Sequence, residues 1–225
     1  ILSGLVGSEM CIRDSSYISA PYILTKLKQV QGLVQGMSYW TYTDLFEEPG
    51  PPPTPFHGGF GLMNREGIRK PAWFAYKYLN ALQGRSLAVD DAHTLAAVDG
   101  KRIAAVAWDW QQPVQAVSNT PFYTRLVPAS DSKAIVFRLA HVPAGTYRLQ
   151  VRKTGYRRND PLSLYIDMGM PKQLAADQLT QLQQATRDVP EQDRRVRVGA
   201  EGAVAVTVPM RSNDVVLLTL EPATR

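Results

Sequence analysis

The chain predicts an α/β plus β organisation: the last β/α unit of a (β/α)8 TIM barrel, followed by a mostly antiparallel β-sandwich domain with one helical insertion. Three observations predict it. First, an aromatic-rich apolar run, Met37–Thr43, lies between two helical stretches and then breaks into acids, prolines, a histidine and a Gly-Gly pair. A buried strand that ends in such a cluster is how a barrel presents its active edge. Second, a single parallel strand needs neighbours on each side and helices above it, so residues 16–84 are too little to stand alone and read as one turn of a larger barrel. Third, from Leu87 onward short apolar runs alternate with turn residues, the texture of a sandwich.

The elements come in order. Tyr17–Val34 reads as a helix, because Ile23, Leu27, Val30 and Val34 recur at helical spacing with Lys26, Lys28, Gln29 and Gln31 between them. Pro21 is tolerated only in a first turn, and Gly32 and Gly36 mark the stop. Met37–Thr43 alternates bulky and small residues as a buried strand would. Asp44–Glu66 is a long loop in which Pro49, Pro51, Pro52, Pro53 and Pro55 forbid regular structure. Pro71 sits at a favoured first-turn position, and Trp73, Tyr76, Leu79 and Leu82 give the helix Ala72–Leu82 one apolar face. Strands are predicted over Leu95–Val98, Arg102–Trp108, Ala134–His141 and Tyr147–Lys153. Asp99-Gly100 signals a hairpin and Pro143-Ala144-Gly145 a turn. A helix over Lys172–Thr186 interrupts, with Leu174, Leu179 and Leu182 on a face. Strands resume at Arg195–Val198, Ala203–Val208 and Val215–Leu220. The division is therefore 16–84 for the barrel piece and 85–225 for the sandwich.

Residues 1–15, ILSGLVGSEMCIRDS, fit poorly with the rest of the chain. Their apolar start lacks a basic region, so they make a weak signal peptide. VGSEMCIRDS looks like a translated sequencing adaptor or linker, and native sequence is expected to start near Ser16; the alternative is a real but irregular N-terminal tail. Cys11, the sole cysteine, and Glu9 fall in this segment and carry no expected chemistry.

Bulk composition narrows the function classes. In 225 residues, 44% hydrophobic and 20% charged content is that of an ordinary globular chain, and no apolar run is long enough to cross a membrane as a helix. The net charge of +5 comes from scattered basic residues without interleaved aromatics, so no nucleic-acid surface is expected. No His/Cys/Asp cluster has metal-ligand spacing, and no Gly-rich phosphate loop or nucleophile elbow occurs, so no metal or cofactor is expected. Neither oligomeric state nor compartment has a sequence signal.

Three ordered motifs carry a specific resemblance. Ser38, Tyr39, Trp40, Thr41, Asp44, Phe46, Glu47 and Glu48 form the first. Phe56, His57, Gly58, Gly59, Phe60, Gly61 and Leu62 form the second. Gly67, Ile68, Lys70, Pro71 and Ala72 form the third. Together they resemble glycoside hydrolase family 39, the β-xylosidase and α-L-iduronidase group. Gly155–Asp160 and Met168-Gly169, taken as the start of a helix, resemble its accessory β domain.

The resemblance implies a C-terminal fragment of a retaining glycosidase, most like a bacterial β-xylosidase acting on xylose-containing oligosaccharides. Such an enzyme needs two carboxyl groups about 5–5.5 Å apart, one a proton donor and one a nucleophile. In the family both lie on earlier strands, the acid in an Asn-Glu pair. This chain has no Asn-Glu dipeptide, so the fragment alone is expected to be inactive. The implied substrate-binding residues are Glu48, Glu47, His57, Trp40, Phe60, Gly58 and Gly59.

Glu47 and Glu48 are adjacent and point to opposite sides of an extended chain, so only one faces a sugar; Glu48 is preferred. A carboxylate suits neighbouring sugar hydroxyls because it accepts from both. His57 either binds sugar or braces its loop. Gly58 and Gly59 supply backbone conformations or close approach. Trp40 and Phe60 either face a pyranose ring or fill the core, the core being the stronger reading for Trp40.

Two alternatives stay open. Residues 85–225 form a free-standing carbohydrate-binding or structural module if Trp108 and Trp110, two apart on a strand, are exposed; burial makes them core. An iduronidase-like specificity would want a cation near the substrate carboxylate, with Arg65 and Arg69 as candidates. Arg157, Arg158 and Asp160 read as a salt-bridged turn, and Arg194, Arg195 and Arg197 as a solvated strand edge.

Overall fold

The computed structural model describes residues 14–45, 50 and 52–223. After Asp14 and Ser15, which are helical, come α1, Ser19–Val30, and α2, Pro71–Asn80. Then come β1 (Arg85–Leu87), β2 (Thr94–Asp99), β3 (Arg102–Trp108), a short α3 (Asn119–Tyr123), β4 (Asp131–Leu139) and β5 (Gly145–Thr154). The chain continues through α4 (Pro161–Asp167), α5 (Ala176–Ala185), β6 (Gln192–Val198), β7 (Val204–Arg211) and β8 (Val215–Pro222).

The strands form two antiparallel sheets. One has six strands in the order β1-β2-β3-β8-β5-β6, and the other pairs β4 with β7. The hairpin signal at Asp99-Gly100 is realised as the β2–β3 turn, where Asp99 pairs with Arg102 and Gly100 takes a φ of +56°. The turn at Pro143–Gly145 instead crosses between sheets, since β4 pairs only with β7 while β5 pairs with β6 and β8.

The six-stranded sheet is packed on both faces. On one, Ala105 of β3, Leu149 and Val151 of β5, and Leu218 and Leu220 of β8 meet Phe137 of β4 and Val206 and Val208 of β7. On the other, Val106, Trp108, Val215 and Leu217 meet Ala20 and Leu24 of α1 and Phe74, Ala75 and Tyr78 of α2. Each fully buried Leu, Val or Phe among these contributes about 1.5–3 kcal/mol. The result is three layers rather than a plain two-sheet sandwich. This explains why Val215–Leu220 is apolar at every position but the buried Thr219: a strand covered on both faces has no polar side.

Polar ties fasten the helices to the sheet. Trp108 Nε1 donates to Thr25 Oγ1 at 2.9 Å. Arg102 donates to the carbonyl of Ala81 at 2.6 Å and to Glu221 at 2.8 Å. Asp188, buried, accepts from Lys77 Nζ at 2.6 Å, the Tyr78 hydroxyl at 2.7 Å and Asn159 Nδ2 at 2.8 Å. Burial and the Asp188 carboxylate beside it push the Tyr78 hydroxyl pKa well above its ordinary value.

Several sequence expectations are corrected. Helix α1 stops at Val30 rather than Val34, because Gly32 takes a left-handed φ of +79°. Helix α2 buries Ala72, Phe74, Ala75 and Tyr78, while the predicted face of Trp73, Tyr76, Leu79 and Leu82 is only half-buried. The helix is apolar on two sides, and the side with two alanines lies against the sheet.

Met37–Thr43 is neither a strand nor buried. Met37, Trp40 and Tyr42 are 43%, 64% and 65% exposed, and the backbone bonds from Thr41 to Asp44 tie the stretch to Phe60–Met63 without extending into a regular strand. The helical insertion has two helices, not one. Asp160 caps α4 by accepting from the Ser163 amide, and Pro161 fills the first turn. Met168-Gly169 ends α4 instead of opening a helix, with Gly169 at φ +78°.

Candidate functional site

The site region grows from a short parallel ladder. The amide of Thr41 donates to the carbonyl of Phe60 at 3.2 Å, and the amide of Leu62 donates to the carbonyl of Thr41 at 2.9 Å. Met63 N then donates to Tyr42 O at 3.2 Å, and Asp44 N to Met63 O at 3.0 Å. This ladder brings Trp40 and Phe60, separate candidates in the sequence, to the same end of two adjacent segments. The Trp40–Thr41 peptide is cis. Trp40 is 64% exposed, so its expected place in the core is not observed, whereas Phe60 is half-buried. Glu47 and Glu48, with Phe46 between Leu45 and them, lie outside the described residues, as do Glu9 and Cys11.

The second motif curls tightly over the ladder. Gly58 adopts φ +101°, a conformation that disfavours a side chain. Gly59 is packed so closely that a β-carbon there would lie 2.5 Å from Asp44 Cγ and 2.7 Å from His57 Cε1. His57 is half-buried against it. The loop base is anchored elsewhere: Phe56 is buried with its ring 5.1 Å from that of Tyr165 on α4.

Asn64 closes the turn that leads to α2. Its Oδ1 accepts from the amides of Ile68 at 2.8 Å and Glu66 at 3.1 Å, and its Nδ2 donates to Pro55 O at 3.2 Å.

Two residues inside the three motifs have no site role in the sequence reading, yet they hold the region together. Asp44 and Lys70 are both fully buried and form an ion pair, with Lys70 Nζ 2.6 Å from Oδ2 and 2.8 Å from Oδ1. Lys70 Nζ also donates to the carbonyl of Gly59 at 2.8 Å, and Asp44 Oδ1 accepts from the amide of Gly61 at 2.7 Å. The signal that could have found them is a charged residue on each side of an apolar, glycine-rich loop, where burial requires a partner.

The remaining candidates separate. Trp108 is 3% exposed and Trp110 half-buried with its ring 5.7 Å from Tyr22, so the pair forms no exposed aromatic platform. Arg65 is tied to Glu66 at 2.6 Å and to the Pro52 carbonyl, and Arg69 stacks on Trp73 with 4.5 Å to the ring centre. Arg157 pairs with Asp167 at 2.6 Å and Arg158 with Glu191 at 3.1 Å. Asp160 is therefore not their counter-ion. It caps α4 and accepts from the Arg157 amide at 3.0 Å, and burial raises its carboxyl pKa against the pull of those amide donors. Arg194, Arg195 and Arg197 are exposed on β6, an edge strand of the large sheet. Among the described residues no group of three or more His, Cys, Asp or Glu side chains is placed to hold a metal ion, and no helix is long and apolar enough to cross a membrane.

Comparison with known proteins places this arrangement. The GH39 enzyme of Xanthomonas axonopodis pv. citri matches 95% of the chain at 81% identity with a TM-score of 0.94, the match covering 42% of that enzyme. A monomeric β-xylosidase from Caulobacter crescentus CB15 matches 96% of the chain at 57% identity with a TM-score of 0.92, covering 43% of that protein. A β-xylosidase of Geobacillus stearothermophilus is 27% identical over 204 residues, 91% of this chain and 37% of its own length. The chain thus spans about two-fifths of the length of these relatives. The profile of Glycosyl hydrolases family 39 matches residues 9–204, starting within the 1–15 segment and running through both helices and strands as far as β7. With most of its length matched, the chain belongs to glycosyl hydrolase family 39.

Proposed function

We propose that this chain is the C-terminal part of a retaining β-xylosidase acting on xylo-oligosaccharides, and that it is inactive alone because both reacting glutamates lie outside it. The observation that carries the reading is the likeness, at 57% identity and a TM-score of 0.92, to a Caulobacter β-xylosidase more than twice as long as the matched span. The absence of any Asn-Glu dipeptide supports the inactivity. On this reading residues 16–84 are the closing β/α unit of a barrel and 85–225 are the accessory β domain. The exposed apolar residues Leu33, Val34, Met37 and Leu45 fit a unit that packs against preceding barrel strands.

Within the site, Glu48, or Glu47 in its place, accepts from sugar hydroxyls. Trp40 and Phe60 offer ring faces to the apolar side of a pyranose, and His57, Gly58 and Gly59 shape the rim. The chemistry itself belongs to two carboxyl groups on other strands: one protonates the leaving oxygen while the other attacks the anomeric carbon, and water then hydrolyses the glycosyl-enzyme. This chain's contribution is orientation.

The test compares the complete reading frame containing this chain with the chain alone, both purified, on an aryl β-xyloside and an aryl α-iduronide. Release from the xyloside by the complete protein only is the expected result. Turnover by the isolated chain would overturn its inactivity, and release from the iduronide alone would overturn the sugar.

A further inference from the structure

We propose that Asp44 and Lys70 are positioning residues for substrate: a buried ion pair whose task is to hold Phe60 in fixed relation to Trp40. The inference rests on the functional reading above and concerns residues to which that reading assigns no role.

The geometry is specific. Phe60 is flanked by two peptide groups, and each is gripped by one member of the pair. Lys70 Nζ holds the carbonyl of Gly59 at 2.8 Å, and Asp44 Oδ1 holds the amide of Gly61 at 2.7 Å. Between them the carbonyl of Phe60 itself accepts from the amide of Thr41, the residue after Trp40, at 3.2 Å. Three consecutive residues are thus pinned, the outer two by charges and the middle one by the segment that carries Trp40.

Nothing about stability demands charges here. Taking two charges out of water carries a desolvation penalty that can exceed their attraction, and apolar replacement of such a pair is often neutral or stabilising. Both side chains are fully buried, so they make no salt-bridged surface for solvent or for solubility. What a lysine and a carboxylate supply that apolar residues do not is directional bonds to backbone groups in opposite senses, one to a carbonyl and one to an amide. Glycine at 59 is required by the same device, since a β-carbon there would sit 2.5 Å from the Asp44 carboxyl. Lys70 is also the residue before the first turn of α2, so the pair transmits the rigidity of that helix to the loop.

Substrate positioning is sensitive to such support: a misplacement of about 1 Å can cost about 100-fold in rate. The experiment uses the complete enzyme that contains this chain, with three variants: Lys70→Arg, Lys70→Met, and the double variant Asp44→Leu/Lys70→Met. Thermal midpoints are measured beside kcat and KM on an aryl β-xyloside, well below each midpoint. Lys70→Met leaves a buried carboxylate unpaired and lowers the midpoint. The double variant removes both charges and recovers it.

Positioning predicts that kcat/KM stays depressed by about 100-fold in the double variant although the fold is restored, with KM rising, because Gly59 and Gly61 have lost their partners. Lys70→Arg keeps the charge, folds, and is expected to lose kcat/KM by about ten-fold through altered bond directions. A double variant and a Lys70→Arg variant within about two-fold of wild-type kcat/KM would overturn the proposal and leave the pair a structural feature. A wild-type enzyme that does not turn over the xyloside would instead overturn the functional reading beneath it.

Discussion

Two apolar stretches of this chain meet opposite fates. Val215–Leu220, VVLLTL, becomes the centre of the large sheet, paired with β3 on one edge and β5 on the other and buried on both faces. Met37–Thr43, MSYWTYT, has comparable strand-forming composition yet forms no regular strand, with Trp40 and Tyr42 exposed. The difference is not in propensity. A strand is completed by neighbours: the first stretch is paired along its length by β3 and β5, while the second is joined to Phe60, Leu62 and Met63 by a few bonds from Thr41 to Asp44. The two regions also differ in how they are held. The sheet is held by apolar area, and the Thr41–Gly61 region by a few directed polar bonds around one ion pair.

Substitutions can break or sharpen that contrast. The largest effect is expected at Leu218, fully buried in the sheet: Leu218→Ala should cost about 2–5 kcal/mol in urea denaturation. A smaller loss, about 1–3 kcal/mol, is expected for Asp188→Ala, which leaves the buried Tyr78 hydroxyl without its acceptor and loosens α2 from the β domain. An unchanged midpoint there would mean that the bonds to Asp188 add nothing to the α2 interface.

Asp160→Asn probes the cost of a buried carboxylate that caps a helix. Asparagine keeps only one of the two acceptor oxygens that serve the Ser163 and Arg157 amides, so at neutral pH it should cost about 0.5–1.5 kcal/mol. The pH dependence is more telling. Burial raises the folded-state pKa of Asp160, so the folded state binds its proton more tightly than the unfolded state does. The resulting stabilisation is full below the unfolded-state pKa and is lost as pH rises through the folded-state value. Wild type should therefore gain on the asparagine variant as pH falls, and a constant difference across acid titration would contradict the burial effect. The smallest effect on stability is expected for Trp40→Ala, within about 0.5 kcal/mol for this chain, because the side chain is 64% exposed. In the complete enzyme the same substitution should raise KM for xylosides, and an unchanged KM would remove Trp40 from the sugar-facing set.

Local signals read well wherever local physics was enough. Pro71 at a helix start, Asp99-Gly100 at a hairpin and the apolar run at Val215 each act over a few residues, and the structure places each as expected. Helix α4 was equally local, signalled by Asp160-Pro161, but with only Pro161–Asp167 in it there is too little length to show a periodicity. Other features depended on distant parts of the chain. Which face of α2 would be buried depended on β3 and β8, far along the chain. Asp44 and Lys70 were visible inside their motifs, but no spacing rule pairs an acid with a lysine across a glycine-rich loop. The loop must fold before the two charges meet.

The sequence by itself determined the family and the local punctuation at Pro71, Asp99-Gly100 and the Val215 run, because motif chemistry, proline and glycine constraints and hydrophobic patterning act within a few residues. Tertiary structure alone decided which apolar runs became strands, which helix face turned inward and which charges were buried together. Those outcomes depend on neighbours brought from far along the chain. Backbone groups and charges leave water only where such a neighbour supplies a partner.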